Sequence, residues 1–228
     1  MILTTHQPIF LPWPGFFFKA IKSDCMVLLD NVQFPRGRGW VNRNRLKTKQ
    51  GPFSLTVPVC KKSRGLQIIR QVEIFNEIDW RKKHFRSIKH NYANASYSGE
   101  YFPIIESIFR KNQILLVELN IDLIRFFWDA LSIKTRLLLQ SELGVNGNGT
   151  ELLINICRQV KADAYLTFSI VEKHLDLDKF NRNNIQIKFT GFHPPIYPQL
   201  WGKFFYNLST LDMLLNCGPK CIEIISNA

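Results

Sequence analysis

The 228 residues contain no Walker A segment, no G-x-G-x-x-G, no G-x-S-x-G, no H-E-x-x-H and no EF-hand loop. These absences set aside P-loop nucleotide hydrolysis, the fingerprint form of dinucleotide binding, α/β-hydrolase chemistry, zincin proteolysis and EF-hand calcium binding. No stretch approaches the roughly 18 uncharged apolar residues of a membrane-spanning helix. The opening Met1-Ile2-Leu3-Thr4-Thr5-His6 has neither the basic start nor the apolar stretch of a secretory signal. A cytoplasmic protein without membrane insertion is the expectation. Five cysteines, Cys25, Cys60, Cys157, Cys217 and Cys221, are an odd and scattered set, expected as free thiols. Cys217 and Cys221 lie four apart, but no second Cys/His pair completes a zinc site. His174 beside Asp176 and Asp178 has no further ligand set, so no metal site and no tightly bound cofactor is expected.

Acidic residues are also unevenly absent. Between Asp30 and Glu73 there are ten Lys/Arg and not one Asp or Glu. Residues 1–91 hold 17 basic and 5 acidic residues, a net +12, whereas residues 92–228 hold 13 of each. The whole excess of the chain therefore lies in its first two-fifths. Such a field attracts phosphorylated substrates, nucleic acid or anionic lipid. The run Trp40-Val41-Asn42-Arg43-Asn44-Arg45-Leu46-Lys47 adds amides and an aromatic ring to its cations, which suits phosphate and ring recognition more than plain solvation.

What is present fits one folded α/β domain spanning 1–228. Hydrophobic content of 46% and charged content of 21% exclude disorder. Met1–Thr5 reads as a strand, Pro14 and Gly15 open a helix running to Lys22, and Cys25–Leu29 is a continuous apolar strand of the buried, parallel kind. This is a Rossmann-like βαβ unit. Strands are further expected at Ser54–Val59, Gln67–Ile74, Lys134–Leu139, Ala164–Phe168 and Ile185–Phe189. Helices are expected over Trp80–Asn91, Tyr101–Arg110 and Leu115–Leu131, a helix-rich middle, and again after Thr150 and Ser209 as N-caps. The alternation favours a mainly parallel sheet.

Ligands of open parallel sheets bind beyond the carboxyl ends of the strands. His6-Gln7-Pro8 follows the first strand, and Asp30 ends the second. His6 suits hydrogen bonding to a phosphate or proton transfer, and Asp30 suits a base, a ribose contact or an orienting group for His6. Gln33, Asn42, Arg43, Arg45 and Lys47 follow in the acid-free segment, with Arg43 the first choice for a bidentate phosphate clamp. His84 and His90 add to the basic face. The proline-rich His193–Gln199 loop can pre-position Tyr197 or Gln199.

His6-Gln7-Pro8, Leu11-Pro12-Trp13, Gly15, Leu29-Asp30, Val32-Gln33-Phe34 and Asn42-Arg43-Asn44 resemble the opening of WbqC-like proteins. Trp80, Lys83-His84, Tyr92, Tyr97, Tyr101, Ile156-Cys157, Phe180, Tyr197-Pro198-Gln199, Gly202, Leu208-Ser209, Leu211-Asp212 and Asn216 extend the resemblance along nearly the whole chain. The chain departs from the pattern at Leu166-Thr167-Phe168-Ser169, where a Ser-Gly pair is expected. The resemblance implies a role in building bacterial surface polysaccharide such as O-antigen. It points to a transferase that adds an acyl or aminoacyl group, glycyl for example, to a nucleotide-linked amino sugar. Acyl-CoA, aminoacyl-tRNA and aminoacyl-adenylate stay open as donors, tRNA being compatible with the basic charge. Gln7, Trp13, Gln33, Asn42, Arg43, Arg45, Lys47, His84, Tyr197 and Gln199 then fall to substrate binding, and His6 and Asp30 to catalysis. A looser similarity is to nucleotidylyltransferases and adenylate-forming enzymes, which use two histidines in the first turn. This chain has only His6 there. A non-catalytic RNA- or nucleotide-binding protein and a scaffold are the remaining alternatives.

Overall fold

The computed structural model describes residues 1–37, 39–62 and 64–228. Seven strands run in chain order as β1 (Ile2–His6), β2 (Cys25–Leu28), β3 (Arg43–Thr48), β4 (Gly51–Thr56), β5 (Arg136–Leu139), β6 (Ala164–Phe168) and β7 (Gln186–Thr190). The helices are α1 (Pro14–Ile21), α2 (Trp80–Tyr92), α3 (Ser98–Arg110), α4 (Leu116–Ala130), α5 (Gln140–Leu143), α6 (Gly149–Val160), α7 (Leu177–Arg182), α8 (Thr210–Cys217) and α9 (Cys221–Ser226).

Five strands form one sheet in the order β5-β2-β1-β6-β7, every pair parallel. The chain moves outward from β1 through β2 to β5, then returns to the other side of β1 for β6 and β7. This is a doubly wound α/β sheet whose order reverses between β1 and β6, the place where such sheets leave a crevice at the carboxyl edge. Alternation along the strands divides the core. Met26 and Leu28 join the larger apolar cluster with α1, α4, α8 and α9, while Leu3, Cys25, Val27 and Tyr165 join α6 and α7 on the other face. Both faces are therefore covered, as a parallel sheet requires.

The antiparallel hairpin β3–β4 stands outside this sheet, with Arg43 opposite Thr56 and Thr48 opposite Gly51. Of the strands expected at Ser54–Val59 and Gln67–Ile74, the first overlaps β4 over Ser54–Thr56 and the second does not form. The strand partner of Gly51–Thr56 is Arg43–Thr48, a run too polar to stand out as a strand. Around Gln67–Ile74 the chain makes a 3₁₀ turn at Ile69–Gln71 and isolated bridges of Ile68 to Gln33 and Ile74 to Val59. Thr150, expected as an N-cap, lies inside α6, and its hydroxyl accepts from Asp176 N at 3.0 Å. Ser209 caps α8 as expected, its Oγ accepting from Leu211 N at 3.1 Å.

Candidate functional site

The loop after β1 is built by amides from distant elements. Asn44 Nδ2 donates to Phe10 O at 3.2 Å and to Leu11 O at 2.6 Å. Asn120 Nδ2 donates to Pro8 O and Val41 O, both at 2.8 Å. Thr210 N closes on Pro12 O at 2.8 Å. These contacts hold Leu11 at φ 45°, a left-handed conformation costing a branched residue about 1–2 kcal/mol. The loop delivers Trp13 to the start of α1, where its indole lies so close to Gly15 that any Cβ there would collide with the ring.

Trp13 faces the switch point. Its ring sits 5.9 Å from Phe168, the last residue of β6, and 5.2 Å from Phe192 after β7. The departure noted at Leu166-Thr167-Phe168-Ser169 thus falls on the turn facing the β1 loop, and an aromatic side chain occupies it. Beside it lies Lys19, a lone cation in the apolar stretch of α1, 5% exposed. Its ammonium donates to Thr5 O at 2.8 Å and lies 5.3 Å from the Phe168 ring centre. No carboxylate pairs with it among the described residues. Burial without a counter-charge lowers its pKa to about 7.

His6, half-buried, packs edge-on to Phe16 at 4.9 Å. Burial, then the neighbouring Lys19 charge, holds its pKa down to about 3 against a smaller upward pull from Gln7 O. Its Nδ1 lies 2.9 Å from that carbonyl. A carbonyl only accepts, so Nδ1 carries the proton and Nε2 keeps its lone pair. The resting imidazole is neutral and offers an acceptor, not the second donor that contact with a phosphate would use.

The β3 strand carries the basic residues. Arg43 Nε donates to Gly39 O at 3.0 Å, and the guanidinium groups of Arg43 and Arg45 each lie 5.7 Å from the ring of the exposed Trp40. Arg45 Nη2 reaches Asn207 O at 3.3 Å. Trp13, Trp40, Asn44, Arg45 and Asn207 line a cavity of about 250 Å³.

Lys47, two residues further along the same face of β3, is fully buried. Its ammonium donates to Gln199 Oε1 at 3.2 Å, while Tyr92 Oη accepts from Lys47 N at 2.8 Å. Tyr92 and Tyr197 donate to the two oxygens of Asp212 at 2.5 and 2.8 Å. Burial raises the Asp212 pKa, opposed by both phenols and by Lys47. Gln199 also bonds both backbone groups of Phe205. Lys47, Tyr197 and Gln199, expected to touch substrate, are instead joined in a buried scaffold that ties β3 to α2 and α8. Asp30 is likewise engaged within the fold. It is 2% exposed, and its oxygens accept from Ser141 N at 2.9 Å and Ser141 Oγ at 2.5 Å, so it anchors the start of α5.

Gln7 lies with His6 at the carboxyl edge. Asn42 is engaged with Val57 O at 2.9 Å, His84 Nε2 with Thr56 O at 3.0 Å, and Gln33 is exposed at its bridge to Ile68. The structure therefore groups Gln7 with His6, and Trp13 with Arg45. Sequence reasoning missed Lys19 and Asn207, whereas Trp40 opened the basic run it singled out. A lysine inside Phe16-Phe17-Phe18-Lys19-Ala20-Ile21 was a visible anomaly, whereas Asn207 had no local signal. A larger cavity of about 700 Å³ lies between α2 and α3, where Glu106 pairs with Arg110 at 2.6 Å, Asp79 with Lys82 at 3.7 Å, and Arg81 donates to Gln113 O at 2.8 Å. It also lies off the carboxyl edge of the sheet, being lined by residues 76–85 and 106–112.

No helix among the described residues is long and apolar enough to cross a membrane. Residues 7–224 match the WbqC-like protein family. The chain is also 33% identical over 223 residues to the uncharacterized protein Rv1507c of Mycobacterium tuberculosis, a match covering 96% of this chain and 95% of that protein.

Proposed function

The chain belongs to the WbqC-like protein family, and on that premise we propose that it is a transferase placing an acyl or aminoacyl group on the amine of a nucleotide-linked amino sugar, in the making of a surface polysaccharide such as O-antigen. The observation carrying this reading is the meeting, at the β1/β6 switch point, of a neutral histidine, a buried lysine and a tryptophan that also walls the Arg45 cavity. A phosphate-bearing ligand fits the acid-free β3 side, and proton chemistry fits the β1 side.

An amine attacks an activated carbonyl only as the free base, and the attack releases a proton. The new C–N bond forms as the bond to the donor's leaving group breaks. His6 Nε2 is the acceptor for that proton. At a resting pKa of about 3 it is a weak one, so the step depends on the amine being presented directly to Nε2. Lys19, with its pKa of about 7, is about half neutral at pH 7 and can exchange a proton where an ordinary lysine would stay charged.

The test is incubation with nucleotide-linked amino sugars and each donor class, acyl-CoA, aminoacyl-tRNA, or amino acid with ATP, read by mass spectrometry. The expected result is a sugar nucleotide heavier by one acyl group, formed about 10²–10⁴ times more slowly by His6→Ala. Absence of product with every donor sinks the transferase reading. The uninterrupted basic stretch between Asp30 and Glu73 also favours a second reading, a polyanion binder such as an RNA-binding protein. It requires an affinity for RNA that falls linearly on logarithmic axes with salt.

A further inference from the structure

We propose that the cavity between Trp13 and Trp40 seats the base of a nucleoside diphosphate-linked ligand, with Arg45 Nε as the hydrogen-bond donor that meets the base edge. This rests on the nucleotide-linked reading above and assigns the two ends of that ligand to separate places.

Among the five residues lining the cavity, the one buried side-chain polar atom without a partner is Arg45 Nε. The guanidinium is not loose, because Nη2 is fixed on Asn207 O at 3.3 Å. Buried N–H groups are almost always paired, and one left without a partner beside a cavity is where a ligand acceptor would complete the pairing. The Asn44 amide is saturated. Its Nδ2 serves two carbonyls and its Oδ1 accepts from Arg45 N at 2.8 Å. The one buried unpaired polar atom of the lining is thus a donor beside aromatic faces. That suits the carbonyl or ring nitrogen of a flat heterocycle better than a sugar ring, whose many hydroxyls need donors and acceptors in alternation.

Trp40 is 46% exposed, an unusual position for a tryptophan, with Arg43 and Arg45 at its ring. Both cations are placed to meet phosphates carried by a ring stacked there. Size limits the occupant. A cavity of about 250 Å³ is below the roughly 300–1,000 Å³ of sites that enclose whole drug-sized ligands. It holds one ring, and the rest of the ligand must continue past Trp13, whose indole reaches Phe168 at the switch point beside Lys19. The sugar amine is thereby directed to His6.

Calorimetric titration of the full chain tests this, using the five common nucleoside diphosphates, inorganic pyrophosphate and an amino-sugar 1-phosphate as probes. At least one nucleoside diphosphate should bind more tightly than pyrophosphate. Trp40→Ala should weaken it about 5- to 100-fold, the range that loss of one base-stacking contact gives, while leaving pyrophosphate affinity unchanged, and Arg45→Lys should weaken nucleoside diphosphate binding more than pyrophosphate binding. Trp40→Phe, which retains a ring, should restore most of the loss and separates stacking from misfolding. Nucleoside diphosphate binding that is indifferent to both variants overturns the pocket assignment and leaves the nucleotide-linked reading standing. Loss of sugar phosphate affinity alone in Trp40→Ala makes the cavity a sugar site and also overturns it. No binding of any nucleoside diphosphate to the unmodified chain removes both.

Discussion

His6 and Lys19 occupy one corner, and the lysine's charge bears on the protonation of the histidine. The imidazole is kept neutral by burial and by the lysine, so its NMR resonances should show no titration between pH 5 and 8. Removing the charge in Lys19→Met should raise the His6 pKa; an unchanged value would show that the two do not interact. Gly15 is a second single-residue determinant. Gly15→Ala drives a methyl group into the Trp13 ring, and relief of that clash costs about 1–3 kcal/mol. The expected outcome is a lowered melting temperature together with weakened ligand binding, because Trp13 walls the cavity. In the scaffold behind β3, Tyr92→Phe takes a hydrogen bond from the buried Asp212 carboxylate and another from Lys47 N. A loss of roughly 1–3 kcal/mol in chemical denaturation is expected.

At the scale of elements, the β1 loop and the β3 strand function as one unit, since Asn44 carries two loop carbonyls. Asn44→Ala strands both in a buried setting, at about 1–3 kcal/mol each, and should release the left-handed Leu11 turn. Hydrogen exchange over residues 7–13 should then accelerate while β6 and β7 remain protected. The βαβ opening was legible in the sequence, because Cys25–Leu29 is continuously apolar and Pro14 pre-sets the first turn of α1. The long helices were legible from their periodicity. The β3 strand was not. Its buried positions Asn44 and Lys47 are satisfied by hydrogen bonds, which hydrophobic patterning does not register, and the apolar stretch at Gln67–Ile74 lacks a ladder to pair with. For the site, His6, Gln7, Trp13 and Arg45 stand out in sequence because they cluster near the first strand and in the basic run. Asn207 reaches the same cavity only through the fold, and Asp30 is engaged by Ser141, 111 residues further on.

For the whole molecule, half-buried His6 and buried Lys19 set a pH dependence of stability. Both folded-state pKa values, about 3 for His6 and about 7 for Lys19, lie below the ordinary 6.5 and 10.5. The unfolded chain therefore binds more protons between each pair of values, and stability rises with pH across both windows. Stability measured by denaturant should increase from about pH 3 to 6.5 through His6 and again from about pH 7 to 10.5 through Lys19. Lys19→Met should flatten the second rise. The segment 1–91, whose net charge is +12, supplies Trp13, Trp40, Asn44 and Arg45 to the cavity. Binding of any phosphorylated ligand there should weaken with salt.

The most direct measurement is the thermal stability of the full chain against a series of nucleotide-linked amino sugars, repeated with Arg45→Lys. A ligand bound only by the folded state, at about a hundredfold excess over its Kd, adds about 2.7 kcal/mol. The expected result is a stabilisation of that size by at least one nucleotide-linked amino sugar, much reduced in the variant. No stabilisation by any of them, or an equal one in both proteins, would contradict a nucleotide-sugar site at the carboxyl edge of β1 and β6.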